Sequence, residues 1–472
     1  MILYIYTDDQ SARTIGCYLG SYPWVETPNI DRLAEQGVRF SYAYTGPKCV
    51  PSRGTALTGN FQHNYTKQTD FWPSNFRKNG YYTGMIGKWH WDVPRHEETW
   101  DWSAVWEHHL PENHRNYYWD QSLRMHSDTL LKLKQYSTDA YTDLTIDFLK
   151  ERAKEPDQPW YFWVCYGAVH GPYTPADRHI GSYENAQEIT YPKDIYPPRP
   201  DKPENMILLE TNKKDQETGK PMYRNRTLDS WVKQYNEAVR AIDEGVGRIM
   251  EALEKTGQLE NTMVIFTSDN GYAWGHHGYN AKLAPYDANQ LVPLIFVKPG
   301  AVPAGKVSEI PVNGVDIIST IHALGGIEPV NAIDGRDLSN IIFHPEGESL
   351  KDEPMIQIYT GSNYGNERIR TELEKAHQTG EWSRFEMDPP TGSKTWMMLR
   401  QGKYKYVRYI YKDYIEELYD LQNDPEELVN LAVRSDHRDR LYQMRAQLLS
   451  EFEKSGADFL DLLPKPMEKT LN

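Results

Sequence analysis

What this chain lacks narrows it first. Three cysteines in 472 residues, Cys17, Cys49 and Cys165, build no disulfide framework, and an odd count leaves at least one thiol unpaired. Their spacing matches no zinc site. No apolar run approaches the roughly 20 residues that cross a bilayer. Positive charge is scarce, with 52 basic residues against 67 acidic ones and a formal net charge of −15. That balance argues against a general nucleic-acid binder. It leaves room for a small anionic substrate, because a local cluster of cations overrides the global field. No internal repeat and no low-complexity tract is visible.

What is present has the composition of a soluble globular protein, with 25% charged and 12% aromatic residues. The length suits one large domain followed by a smaller one, which we expect at 1–350 and 351–472. Residues 2–6 are apolar and aromatic without alternation, the pattern of a strand buried on both faces. They run into Thr7-Asp8-Asp9-Gln10. In open α/β sheets ligands sit beyond the carboxyl ends of strands. Asp8 and Asp9 therefore read either as a hard-cation site or as a turn or helix cap. The pattern recurs at 263–267, a buried strand ending in Ser268-Asp269-Asn270-Gly271. A third such strand, 160–166, delivers His170 just past its end. A strand over 81–86 leads to Gly87-Lys88-Trp89-His90, where extended backbone would point Lys88 and His90 the same way.

Helices punctuate these strands. The segment from Thr27 to Gly37 reads as a capped helix with Thr27 as N-cap, Pro28 first and Gly37 as the stop. Residues 138–152 and 228–253 carry apolar side chains at helical spacing. Residues 91–136 are rich in Trp, His and Tyr without clear periodicity. They read as a packed irregular lobe or as a wall for sugar rings, with Arg95, His96, His108, His109, His114 and Arg115 as candidate substrate contacts. His276 and His277, in a Gly-rich loop, join that set. A Pro-rich excursion over 175–226 is expected near the mouth of the site. After a helix at 315–324, alternating Tyr-rich strands at 395–399 and 402–410 read as an antiparallel hairpin, and a helix near 437–455 closes the chain.

The densest stretch is Cys49-Val50-Pro51-Ser52-Arg53, running on to Gly59. Pro51 suits the first helical position, where its missing N–H costs nothing. That would set Cys49 at the positive end of a short helix, where free N–H groups favour an anion, with Arg53 adding a fixed cation one turn on. Taken alone, a buried cysteine before a helix is the plain reading. The whole string, however, resembles the signature of the type I sulfatases, C-x-P-S-R followed by a small-residue helix ending Leu-Thr-Gly. The resemblance continues, in the family's order, through T-D-D-Q at 7–10, T-P-N-I-D-R-L-A at 27–34, G-K-W-H at 87–90, S-D-N-G at 268–271 and the segment 418–432. One departure is Gln290-Leu291, where the family carries an arginine before its V-P-L-I strand.

The resemblance implies an α/β fold of the alkaline-phosphatase and sulfatase type: a mixed, mostly parallel sheet with helices on both faces, plus a smaller C-terminal subdomain of antiparallel sheet and helix. It implies that a maturation enzyme oxidises Cys49 to formylglycine, whose hydrate is the nucleophile. It implies one divalent cation, calcium with magnesium as the alternative, held by Asp8, Asp9, Asp269, Asn270 and residue 49; oxygen donors suit such ions and argue against zinc. Arg53, Lys88 and Lys282 would supply fixed positive charge. Asp269 would help deprotonate the attacking hydroxyl, His90 would take the proton of the second hydroxyl, and His170 with Lys282 would protonate the leaving oxygen. The expected reaction is hydrolysis of a sulfate monoester, and the aromatic insert favours a sulfated sugar or polysaccharide fragment. Two other readings stand beside it: a formylglycine-dependent phosphonate monoester or phosphodiester hydrolase, and a non-catalytic anion-binding relative whose Cys49 stays a thiol. Because the numbering opens directly on a strand pattern, the expected location is periplasmic or secreted if a leader was removed, and cytoplasmic if the sequence is complete.

Overall fold

A computed structural model describes residues 1–90, 96–107, 113, 116–346, 350, 352–386 and 393–469. Its main sheet is built from β1 (Ile2–Thr7), β2 (Val38–Phe40), β3 (Tyr82–Lys88), β4 (Trp102–Trp106), β5 (Ser122–Met125), β6 (Leu130–Lys132), β7 (Trp160–Cys165), β8 (Met263–Ser268), β9 (Leu294–Val297) and β10 (Lys306–Ser308). Across the sheet the order is β10-β2-β9-β8-β1-β7-β3-β4-β5-β6. Strands β8, β1, β7, β3 and β4 run parallel, whereas β9 and β5 oppose their neighbours. The sheet is thus mixed and mostly parallel.

Every residue of β1 is buried. Leu3 and Ile5 pack on one face, Ile2, Tyr4 and Tyr6 on the other, so both faces need helices. The first face is covered by α1 (Pro28–Gln36), α3 (Ser137–Arg152) and α4 (Leu228–Lys255), which contribute Leu33, Phe148, Ile242 and Val246. The second takes α2 (Cys49–Thr58) and α5 (Gly314–Gly325), with Leu57, Ile317 and Ile321. Residue Thr27 occupies the N-cap of α1 but makes no capping bond there. Asp243 of α4 does that work, accepting the N–H of Asn29 at 3.0 Å and of Ile30 at 2.8 Å.

Past Phe343 the chain forms a second sheet, β11 (Met355–Tyr359), β12 (Trp396–Gln401), β13 (Tyr404–Tyr409) and β14 (Glu417–Asp420), antiparallel throughout. Helices α6 (Asn366–Thr379) and α7 (Arg438–Lys454) bury Leu373, Leu448 and Phe452 against it. The hairpin is β12 and β13; β11 and α6 carried no reading from the sequence.

One expectation is corrected here. Over its described part, the segment 91–136 is not irregular. It supplies β4, β5 and β6, and its Trp100 and Trp106 are completely buried. Trp106 is core because β4 extends the parallel sheet and presents both faces to packing, whereas Trp102 and Tyr117 are part-buried and Trp119 is exposed. Arg95, His108, His109, His114 and Arg115 lie outside the described residues, as does the side chain of His96. No helix among the described residues is long and apolar enough to cross a membrane.

Candidate active site

The site forms where the parallel strands end. β1 and β8 pair with Thr7 opposite Ser268, so Asp8, Asp9, Asp269 and Asn270 leave the sheet side by side. Asp9 N donates to Asp269 Oδ1 at 3.0 Å, and Asn270 Nδ2 donates to Asp9 Oδ1 at 2.9 Å. On the other flank of β1, β7 hands over to the loop that carries His170. That loop is laced to the first by Asp8 N to Ala168 O at 2.9 Å and Val169 N to Asp8 O at 2.7 Å.

Helix α2 meets this edge with its N-terminus. Cys49 is its first residue and Pro51 its third, two positions deeper than expected. The helix begins early because Lys48 is extended and its carbonyl accepts Ser52 N at 3.0 Å. The missing N–H of Pro51 still falls among first-turn groups that have no intrahelical partner. Cys49 Sγ lies 3.2 Å from Asp8 Oδ1, 3.6 Å from Asp9 Oδ1 and 2.7 Å from Lys282 Nζ.

Each carboxylate of the cluster has a cation. Arg53 places Nε and Nη2 each 3.0 Å from Asp269 Oδ2, while its Nη1 donates to Lys88 O at 2.7 Å. Lys88 Nζ pairs with Asp8, and Lys282 Nζ with Asp9. Burial, and after it the charge of Asp8, pushes the Asp269 carboxyl up to about 6. Burial pushes the Cys49 thiol well above its ordinary value, with Asp269 and Asp8 adding to it.

His170 is part-exposed at the rim. Its Nδ1 meets Gly171 O at 2.9 Å, which leaves Nε2 facing Asp9 Oδ2 at 3.8 Å. The ring lies flat on Tyr117, centroids 4.2 Å apart at 4°. Burial, reinforced by Lys88 and Lys282 against the pull of Asp9, takes its pKa down to about 3. His90 corrects another expectation. Strand β3 ends at Lys88 and His90 has φ +51°, so its backbone is left-handed rather than extended and the alternation argument does not reach it.

The two neighbouring candidates His276 and His277 part company. His277 is buried, its N and Nδ1 bound to Asp194 at 3.0 and 2.7 Å and its ring 4.0 Å from that of Tyr286. His276 is part-exposed and touches Arg13.

The residues present fit a hard divalent cation. Ligand atoms of Asp8, Asp9, Cys49 and Asp269 all lie within 4.8 Å of one another. Asn270 Oδ1 is buried with no hydrogen-bond partner among the described residues. Three buried carboxylates that converge on one point, with an orphaned amide oxygen on the adjacent residue, form a donor set for such an ion.

Three contributors carried no signal in the sequence. Tyr117 underlies His170. Tyr235, on a helix whose spacing spoke only of core, donates its hydroxyl to Asp9 O and accepts Ser11 N at 3.0 Å. Trp396, from the second sheet, donates Nε1 to Leu283 O at 2.8 Å, next to Lys282. None lies near its partner in sequence.

The chain is similar to known proteins in sequence and in fold. The chain is 27% identical to an N-acetylglucosamine-6-O-sulfatase of Bacteroides thetaiotaomicron, over 97% of this chain and 87% of that one. Its fold is similar to that of a protein solved in complex with its substrate D-glucosamine-2-N,6-O-disulfate, with a TM-score of 0.79, 22% identity and coverage of 97% and 99% of the two chains. It is also similar to the phosphonate monoester hydrolase of Agrobacterium radiobacter, at a TM-score of 0.71, 21% identity and coverage of 98% and 97%. The sulfatase family model matches residues 1–327. That span covers well over half the chain and every residue of the cluster around Cys49, and the chain belongs to the sulfatase family.

Proposed function

We propose that the protein hydrolyses a sulfate monoester carried by a sugar or a polysaccharide fragment. The observation that carries this reading is the placement of Cys49 Sγ at a helix N-terminus, within 3.6 Å of Asp8, Asp9 and Lys282. Relatives whose names specify sulfated sugars support the substrate class.

A sulfate monoester is anionic, so its catalyst must neutralise oxygens, provide a nucleophile and protonate a leaving alcohol. Asp8, Asp9, Asp269, Asn270 and position 49 would hold one divalent cation, calcium or magnesium given the all-oxygen character of the other four, and that ion would supply polarisation of the sulfate oxygens. Formylglycine made from Cys49 by a maturation enzyme supplies the attacking hydroxyl. The remaining work falls to side chains. Lys282, within reach of position 49 and of Asp9, holds the nucleophile in place. Arg53 keeps Asp269 ionised in a buried site. Asp269 accepts the proton of the attacking group. His170, at the rim with Nε2 3.8 Å from Asp9 Oδ2, works with Lys282, whose ammonium carries the proton delivered to the leaving oxygen, a role worth on the order of 10²–10⁴-fold. His90 takes the proton that the second hydroxyl gives up. The catalytic part comprises residues 1–350, and 351–472 form a buttressing subdomain. Export to the periplasm or beyond accords with a polysaccharide substrate.

The fold also houses a phosphonate monoester hydrolase, so the test compares chemistries directly. Sulfate, phosphate and phosphonate esters of one alcohol are assayed in parallel with matured protein. The sulfate ester should be turned over with the highest kcat/KM; a preference for the phosphorus esters would replace this reading with that one.

A further inference from the structure

Arg13 and His276 have no part in the site described above. They sit on the two loops that leave β1 and β8, four residues beyond Asp9 and six beyond Asn270. Arg13 donates through Nη1 to Nε2 of His276. An accepting Nε2 puts the ring's proton on Nδ1, and that Nδ1 is buried without a hydrogen-bond partner among the described residues.

Arg13 itself pairs with no carboxylate among the described residues. The groups whose charge reaches it are, largest first, Tyr22, Asp287, Glu426 and Glu427; Tyr22 is a phenol that burial keeps neutral, and the three carboxylates are engaged elsewhere. Asp287 binds Lys405 and Arg400, Glu427 binds Lys405, and Glu426 binds Lys193. The pair therefore offers donors in surplus and no acceptor. A buried donor left unmade and a cation without a counter-charge are both costly, and one acceptor-only ligand relieves both. Oxyanions are such ligands, and guanidinium groups match their geometry.

The pair is held in place from behind. Tyr235 hydroxyl binds both Asp9 O and Ser11 N, which ties the Arg13 segment to the catalytic loop. Asp194 grips His277 by two bonds, across a turn in which Gly275 and His277 have φ of +85° and +52°. Arg13 and His276 are each part-exposed as residues, so the pair opens to solvent on one side while Nδ1 stays covered.

We propose that Arg13 and His276 form a second anion subsite beside the catalytic centre, taking a carboxylate or a further sulfate of the same saccharide, so that the preferred substrate carries two anionic groups. This rests on the sulfatase reading. The test uses three matched pairs that share a sulfate ester: N-acetylglucosamine-6-O-sulfate against glucosamine-2-N,6-O-disulfate, a mono-O-sulfated against a di-O-sulfated disaccharide, and a sulfated disaccharide with a uronate methyl ester against the free uronate. Wild-type protein should favour the doubly anionic member of at least one pair by tenfold or more in kcat/KM. Arg13→Gln should bring that ratio to within twofold of one, and Arg13→Lys should restore part of it. A wild-type ratio near one in all three pairs overturns the proposal, as does an Arg13→Gln ratio equal to wild type. Calorimetric binding of the same pairs to the Cys49→Ala protein, with and without Arg13→Gln, reads the subsite without turnover. An Arg13-dependent preference in binding, with no sulfate released by matured wild type, would sink the sulfatase reading and keep the subsite.

Discussion

Asp269 concentrates several roles in one carboxylate. Its Oδ2 holds two nitrogens of Arg53 and its Oδ1 accepts Asp9 N. Asp269→Ala is expected to lose bound metal and to lower turnover by at least about 100-fold, the upper end of what losing an outer-shell partner costs. It also strands the buried Arg53 charge, so the melting temperature should fall. Undiminished metal by elemental analysis would contradict the ligand role. At this scale the Asp8-Asp9 and Asp269-Asn270 pairs were legible, because each follows closely on a buried apolar strand, although the turn or helix-cap reading of such residues stood beside the cation-site reading. The contributions of Tyr117 and Tyr235 were not, since a hydroxyl or a ring that reaches a partner more than fifty residues away leaves no mark in local spacing. His276 and His277 show the limit most sharply. They are adjacent and identical in type, and only the left-handed turn at His277 separates a buried structural ring from a part-exposed one.

At the scale of elements, the second sheet reaches into the catalytic edge through β12. Leu283 has φ +89°, an uncommon backbone for a side chain of its kind. Its carbonyl is held by Trp396 Nε1 at 2.8 Å, and Lys282 is its neighbour. Trp396→Phe keeps most of the ring and removes the donor. We expect kcat to fall about tenfold with KM little changed, since the lost bond leaves a buried carbonyl unpaired at roughly 1–3 kcal/mol and frees Lys282 to drift. A rise in KM at constant kcat would contradict this positioning role. Strands β1, β7 and β8 were legible because parallel strands buried on both faces read as unbroken apolar runs. Strands β4, β5 and β6 were not: they are short, and their tryptophans sit among histidines and charges that mask any period.

For the whole molecule, His63 marks where the segment after α2 packs against α7 beside the second sheet. It is fully buried, its ring 5.7 Å from both Phe61 and Phe452, with Nε2 3.0 Å from Ser455 Oγ. Burial takes its pKa down to about 4. The folded chain thus keeps His63 neutral while the unfolded chain takes up a proton below about 6.5. Stability from this group is complete above pH 6.5 and is lost as pH falls towards 4, by up to about 1.4 kcal/mol per pH unit. His63→Phe should flatten the fall in melting temperature across that window, and an unchanged profile would contradict the assignment.

The account as a whole stands on the chemistry at position 49. The direct measurement is sulfate release, by ion chromatography, from a panel of sulfated oligosaccharides, using protein whose Cys49–Arg53 peptide shows the aldehyde mass. The account predicts release from at least one member and none from Cys49→Ala protein that melts within a few degrees of wild type. Release from no member with the aldehyde confirmed, or equal release by Cys49→Ala, would contradict it.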